Sequence, residues 1–196
     1  MRELDAPRPP AGFRGGSPKV YVSLGTVPWW YWPDIVTDVF ETVARAVGAT
    51  GDVLISTGRL DNVPQDRVAA MRGAGAKVVP HPHTWAALGE ADVFITHQGA
   101  NSTHEGVYSR VPMLSYPFHG DQPMLAECCA RFGIGLPLVD ELRAPLTIEA
   151  VEAGIAAIAE RRDAFDTALE RARDWELAVI ADRPAVIERV LALAQS

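Results

Sequence analysis

Six short apolar runs, at residues 19–24, 53–56, 77–79, 93–96, 113–116 and 135–138, alternate with stretches whose apolar residues recur at helical spacing. Residues 34–47 show the helical pattern best, with apolar side chains at 35, 36, 39, 40, 43, 44 and 47, and glycines at 48 and 51 to end it. Further helices are expected at 64–71, 85–88, 103–108, 123–132, 148–159, 164–179 and 184–194. Strands that alternate with helices must run parallel, because a chain crossing back by way of a helix returns in the same direction. Strands that are apolar almost throughout fit a sheet covered on both faces. The expected fold is α/β: a doubly wound, Rossmann-like parallel sheet of about six strands in the order 3-2-1-4-5-6, with C-terminal helices. In that order strands 1, 4 and 5 are neighbours, and the winding reverses between 1 and 4. Ligands bind at such a reversal, beyond the carboxyl ends of the strands. Residues 23–26, 97–103 and 117–122 would meet there.

The chain has 196 residues, 48% of them hydrophobic, enough for one domain with a real core. Residues 1–18, rich in Pro, Gly and Arg, read as a linker or frayed start, and residues 19–196 as the domain. A net charge of −7 argues against nucleic acid as a partner. No apolar run is long enough to span a bilayer, and the N-terminus lacks a signal peptide's apolar core. The two cysteines, Cys128 and Cys129, are adjacent and read as packing residues on a helix, which fits a reducing, cytoplasmic setting.

The segment His97-Gln98-Gly99-Ala100-Asn101-Ser102-Thr103-His104-Glu105 follows the fourth apolar run and leads into a helix. A buried strand feeding small and hydroxyl-bearing residues into a helix start builds a seat for phosphate, since first-turn amides lack intrahelical partners and the helix dipole favours an anion. His97, Ser102 and Thr103 add donors. Asp121-Gln122, past the next run, is an acid and amide pair of the kind that reads sugar hydroxyls. A diphosphate joined to a sugar is the expected ligand.

These segments resemble the C-terminal, nucleotide-sugar donor-binding domain of family 1 glycosyltransferases. That GT-B-fold family includes bacterial antibiotic and macrolide glycosyltransferases and plant UDP-glycosyltransferases. The resemblance rests on Val20-Tyr21-Val22-Ser23-Leu24-Gly25-Thr26, on His97-x-Gly99-x-Asn101-Ser102-x-x-Glu105-Gly106, on Val111-Pro112-Met113, and on Asp121-Gln122 in matching order and spacing. It implies that His97, the backbone near Gly99, and Asn101, Ser102 and Thr103 hold the diphosphate. It assigns Glu105 to the ribose hydroxyls and Asp121 and Gln122 to the sugar, with Gly25 and Thr26 beside the phosphates. Where the family carries Trp-x-Pro-Gln to receive the nucleobase, this chain has His81, Pro82, His83 and Thr84. His81 then takes the stacking position, Pro82 offers no N–H, and Trp85 is an alternative stacking residue.

The resemblance further implies an inverting, metal-independent transfer of a sugar from a UDP- or dTDP-linked donor to a small acceptor such as a natural product. The acceptor domain and catalytic base would lie in an N-terminal domain or separate subunit not found in this sequence. No catalytic base is assigned here, and leaving-group stabilisation falls to His97, Ser102 and Thr103. The isolated chain is then expected to bind nucleotide sugar and turn over little. The competing readings are a non-catalytic nucleotide-sugar-binding module, a subunit of a split glycosyltransferase, and, fitting the motif less well, a sugar-nucleotide epimerase. No cofactor is implied. No Asp-x-Asp pair is present, and the histidines lack a matching metal-ligand set. His119 is a second candidate near the sugar, whereas His104 reads as structural or exposed. Trp29-Trp30-Tyr31-Trp32 is read either as an exposed apolar interface or as packing onto the domain's own core. The charges between 160 and 173 read as a solvated helix face.

Overall fold

The computed structural model describes residues 12–59 and 62–194. The elements run β1 (Lys19–Ser23), α1 (Pro28–Tyr31), α2 (Pro33–Val47), β2 (Asp52–Ser56), α3 (Gln65–Gly73), β3 (Lys77–Val79), α4 (Thr84–Glu90) and β4 (Val93–Thr96). They continue as α5 (Ala100–Ser109), β5 (Met113–Ser115), α6 (Gln122–Phe132), β6 (Gly135–Pro137), α7 (Ile148–Glu160) and α8 (Arg162–Ala194). All strand pairs are parallel, and the order is β3-β2-β1-β4-β5-β6, as expected from the alternation.

Side chains alternate across the sheet, and the two faces build two cores. Val20, Val22, Val53, Ile55, Ile95 and Leu114 face one way, against Val36, Val39, Phe40 and Val43 of α2 and Val151 and Ile158 of α7. Tyr21, Leu54, Phe94 and Met113 face the other way, against Leu88 of α4, Val107 of α5, Cys129 of α6 and Leu169 of α8. Strands with both faces covered have no polar side to show, which is why they read as unbroken apolar runs.

Three boundaries differ from the sequence pattern in ways that matter. Helix α5 starts at Ala100, three residues before the expected start at 103, because Gly99 turns the chain and leaves the first turn helical without a side-chain cap. The aromatic segment after β1 is a short helix, α1, opened by Pro28. The C-terminal pattern, expected as two helices at 164–179 and 184–194, is one helix with Pro184 inside it. Proline forfeits one backbone hydrogen bond there, and on a fully exposed stretch water can satisfy the freed carbonyl. Part of the expected linker at 1–18 lies outside the described residues. In the rest, the backbone N–H groups of Arg14 and Gly15 donate to the buried carboxylate of Asp52, and Lys77 donates to the Gly12 carbonyl at 3.0 Å, so this stretch lies against the base of the sheet.

The rings of Tyr21 and Phe94 stack across β1 and β4 with centroids 5.2 Å apart, inside the core below the strand-order reversal. Phe94→Ala should cost about 3–5 kcal/mol in urea unfolding. Trp175→Ala, on the 67% exposed surface of α8, should stay within about 0.5 kcal/mol. Similar losses for the two would contradict this account of the core.

Candidate functional site

The reversal between β1 and β4 opens the crevice in which the expected segments meet. Ser23 is in register with Thr96, so the loops leaving these two strands start side by side. Gly25 has φ +72°, and a Cβ there would stand 2.7 Å from the His97 ring. A Cβ at Gly99 would stand 2.4 Å from His97 Nε2. Both distances are too short for a carbon atom, so the imidazole rests against two bare backbones. The segments around Gly25, His97 and Gly99 therefore converge as expected.

Burial pushes the His97 pKa down from 6.5 to about 4. The Ser23 backbone and the Asp121 carboxylate work against that shift, and His119 works with it. Its Nδ1 is buried without a hydrogen-bond partner. At neutral pH the ring is uncharged and presents one N–H. Beside it, the first-turn amides of α5 at Ala100, Asn101 and Ser102 have no carbonyl of their own helix to bond. Asn101 is exposed and Ser102 half-buried, both on that first turn. Thr103 lies deeper. Its N–H donates to Gly99 O at 2.9 Å, its hydroxyl donates to the same carbonyl at 3.0 Å, and that hydroxyl accepts from Gln98 Nε2 at 2.8 Å. Its hydroxyl proton is committed inside the fold because α5 begins earlier than the sequence pattern suggested.

Gln98 was not singled out by the sequence and proves central. It has a left-handed backbone, φ +61°, and is fully buried. That conformation sends its side chain down between β4, β5, α5 and α6 while the neighbouring His97 stays above. The carboxamide oxygen accepts from the Ser115 hydroxyl at 2.6 Å. Its nitrogen donates to Thr103 and lies 3.3 Å from the sulfurs of Met113 and Cys129. Burial also pushes the Cys129 thiol up to about 12, so it stays protonated, in keeping with a packing residue. The available signal was a large amide two residues past a buried strand and directly before a glycine.

The pair expected to face the sugar divides. Asp121 is exposed at the start of α6, and its carboxylate makes no capping bond, so it faces outward free to accept from a ligand. Gln122 is only 4% exposed. Its oxygen accepts from the backbone N–H groups of Phe118 at 2.8 Å and His119 at 3.2 Å, and its nitrogen is 3.3 Å from His119 Nε2. It braces the loop that carries Asp121, leaving only the amide nitrogen toward the crevice. Trp32 covers the same loop, its ring centroid 5.6 Å from that of His119 and 4.8 Å from the Arg143 guanidinium.

On the other flank, Glu105 is half-buried, and burial raises its carboxyl pKa. Its charge is felt at the Tyr21 hydroxyl, whose pKa burial raises and whose neighbours Thr84, Ser23 and Ser56 lower it. Thr84 thus lies beside the buried Tyr21 phenol, close enough to bond it. His81 is exposed there beside Pro82, and Thr26 is exposed at the end of the β1 loop. His83 is turned to another use: its Nδ1 accepts from Ala86 N at 3.3 Å and caps α4. Trp85 packs edge-on against Tyr108 of α5, 5.5 Å between centroids, which ties up the alternative stacking residue. His104 is exposed and paired with Glu176 at 2.6 Å. The aromatic segment splits: Trp29 is buried on Phe40, whereas Trp30 and Tyr31 are exposed. No helix among the described residues is long and apolar enough to cross a membrane.

Comparison with known proteins agrees with this geometry. Residues 76–153 match the UDP-glucoronosyl and UDP-glucosyl transferase family. An uncharacterized UDP-glucosyltransferase, YdhE of Bacillus subtilis (strain 168), is 33% identical over 135 residues, covering 68% of this chain and 32% of that protein. The zeaxanthin glucosyltransferase of Pantoea ananas is 31% identical over 120 residues, covering 60% of this chain and 26% of that protein. The chain thus spans about a third or less of the length of these curated relatives. Among solved structures, the glycosyltransferase of kitacinnamycin superposes with a TM-score of 0.62 at 27% identity, over 87% of this chain and 40% of that one. Os79 from O. sativa in complex with UDP shares the fold with a TM-score of 0.66 at 22% identity, over 88% of this chain and 37% of that one. Motif spacing, strand order and these matches together place the chain among the family 1, GT-B-fold glycosyltransferases.

Proposed function

We propose that residues 19–196 form the nucleotide-sugar donor-binding half of an inverting glycosyltransferase that uses a UDP- or dTDP-linked sugar and a small-molecule acceptor. The observation that carries this reading is the imidazole of His97, held between Gly25 and Gly99 at the head of α5's unbonded amides. That is a seat for a diphosphate in a chain whose net charge is negative. Glu105 supplies a carboxylate for ribose hydroxyls and Asp121 one for the sugar. The Gln122 amide nitrogen adds a donor, and its oxygen keeps the loop in place.

In the transfer, the acceptor oxygen forms a bond to the anomeric carbon as the bond from that carbon to the diphosphate breaks. The acceptor's proton goes to a base on a further domain or subunit, and the electron pair leaves on the diphosphate. The His97 N–H and the amides of Ala100 to Ser102 stabilise the charge growing there, and the dipole of α5 adds to them. Ser102 is placed to donate its hydroxyl as well, while Thr103 stabilises the turn that presents these donors. The nucleotide-diphosphate site works without the base, so the isolated chain should bind donor and transfer little.

Calorimetry tests the seat. His97→Ala should weaken UDP binding by roughly 10- to 100-fold, the loss of one hydrogen bond to a charged group, with the circular dichroism spectrum unchanged. Equal affinities for the two proteins would refute the assignment. Glu105→Ala should lower UDP affinity while leaving inorganic pyrophosphate binding intact, and loss of both would remove Glu105 from the ribose.

The same histidine sets an acid response. Its folded pKa, about 4, lies below its unfolded value of 6.5. Between those values the unfolded chain takes up a proton that the native chain does not, so stability falls as the pH drops through that window. The loss is of order 1–3 kcal/mol. In urea unfolding at a series of pH values, His97→Gln should flatten the slope between about pH 6.5 and 4. An unchanged slope would mean that His97 is not held neutral.

A further inference from the structure

The indole of Trp29 is 8% exposed and packs on Phe40 with centroids 5.8 Å apart, yet its N–H is buried without a hydrogen-bond partner. A buried donor left unpaired is costly and rare, and where one persists beside a ligand crevice a ligand acceptor is the natural partner. The position of this N–H is informative. Gly58, just past β2, has φ +73°, and a Cβ built there would have within 4 Å only His81 Cε1 at 3.8 Å and Trp29 Nε1 at 3.9 Å. The indole N–H and the His81 ring thus both border the bare backbone of Gly58, at the sheet edge where the chain resembles its family's nucleobase site. His81 itself is exposed and free to turn.

We infer that the Trp29 indole N–H reads a carbonyl oxygen of the nucleobase beside the bare backbone of Gly58, with the His81 ring lying on the base. This rests on the donor-binding reading above and adds a specificity-determining residue to it. Uracil and thymine carry two ring carbonyls each. Adenine has none: its acceptors are ring nitrogens, and in the place of the pyrimidine 4-carbonyl it carries an amino group, which would oppose one donor with another. Pro82 makes such a contact more important, because it offers no backbone N–H at its own position. A single donor thus favours the pyrimidine diones over adenine without touching the phosphates.

The test uses the full chain and three probes in calorimetry: UDP, ADP and inorganic pyrophosphate. The wild-type protein should bind UDP about tenfold more tightly than ADP, the worth of one hydrogen bond. Trp29→Phe keeps a ring against Phe40 and removes the N–H, so it should abolish most of that preference and leave pyrophosphate affinity unchanged. A retained UDP preference in the variant overturns the inference, and so does an equal loss for all three probes, which would mark Trp29 as packing only. Wild-type protein that binds all three without preference overturns the inference and leaves the phosphate seat standing. Wild-type protein that binds none of them overturns the donor-binding reading as well. If the variant fails to fold, nitrogen-15 spectra of the wild-type chain decide. The Trp29 indole N–H resonance, assigned through its contact with the Phe40 ring, should shift downfield on adding UDP and stay in place with pyrophosphate. No shift with UDP overturns the inference.

Discussion

The carboxamide of Gln98 is bonded where water does not reach: Ser115 donates to its oxygen at 2.6 Å, and its nitrogen donates to Thr103 at 2.8 Å. Those bonds tie β5 and α5 to the turn after β4. A left-handed backbone at a residue other than glycine costs about 1–2 kcal/mol, and this network offsets it. The turn is what points neighbouring side chains to opposite sides, Gln98 into the core and His97 into the crevice. Without it the imidazole could not meet Gly25, and the first turn of α5 would not open toward the same space. The site thus depends on an interaction buried beneath it.

That arrangement also explains how an acidic domain can hold an anion. The positive potential comes from backbone amides and one neutral imidazole, with no cationic side chain at the centre. A donor kept neutral by burial has a cost: the chain must fold with an unprotonated His97, and this makes the fold sensitive to acid through the residue proposed to face the phosphates. Asp121 and Glu105 stand on the flanks, where hydroxyl groups need acceptors. Carboxylates near a diphosphate repel it, so in the proposed binding mode their positions at the edge of the amide cluster would separate the hydroxyl-bearing parts of a nucleotide sugar from the charged part.

The inner strands were legible in the sequence because they are covered on both faces, and burial on both sides leaves mostly apolar residues to read. Alternation indicated a parallel, doubly wound sheet, and the Rossmann-like order 3-2-1-4-5-6 expected for it brings the loops after β1, β4 and β5 to one edge. The glycines at 25 and 99 could be read as close approaches to a ligand, and the structure adds that both also accommodate the His97 ring. Less was legible where a side chain has two uses. His83 reads equally well as a base-site residue or a helix cap, and only the placement of Ala86 N decides. Gln122 reads as a sugar ligand until Phe118 and His119 turn their amides onto its oxygen. Nothing in the order of residues separates Trp29 from Trp30, though one is buried and the other 76% exposed.

The sequence alone determined the parallel sheet, its winding and the set of segments at its reversal, because periodicity and crossover handedness act on local patterns of polarity. Tertiary structure decided which polar atoms within those segments are spent on the protein and which remain for a ligand. Partners and neighbours come from distant parts of the chain: Ser115 bonds Gln98, and Gly58 lies beside Trp29 and His81. A donor is satisfied or left open only when those parts are packed together, so that distinction appears in three dimensions and leaves no mark on the local sequence.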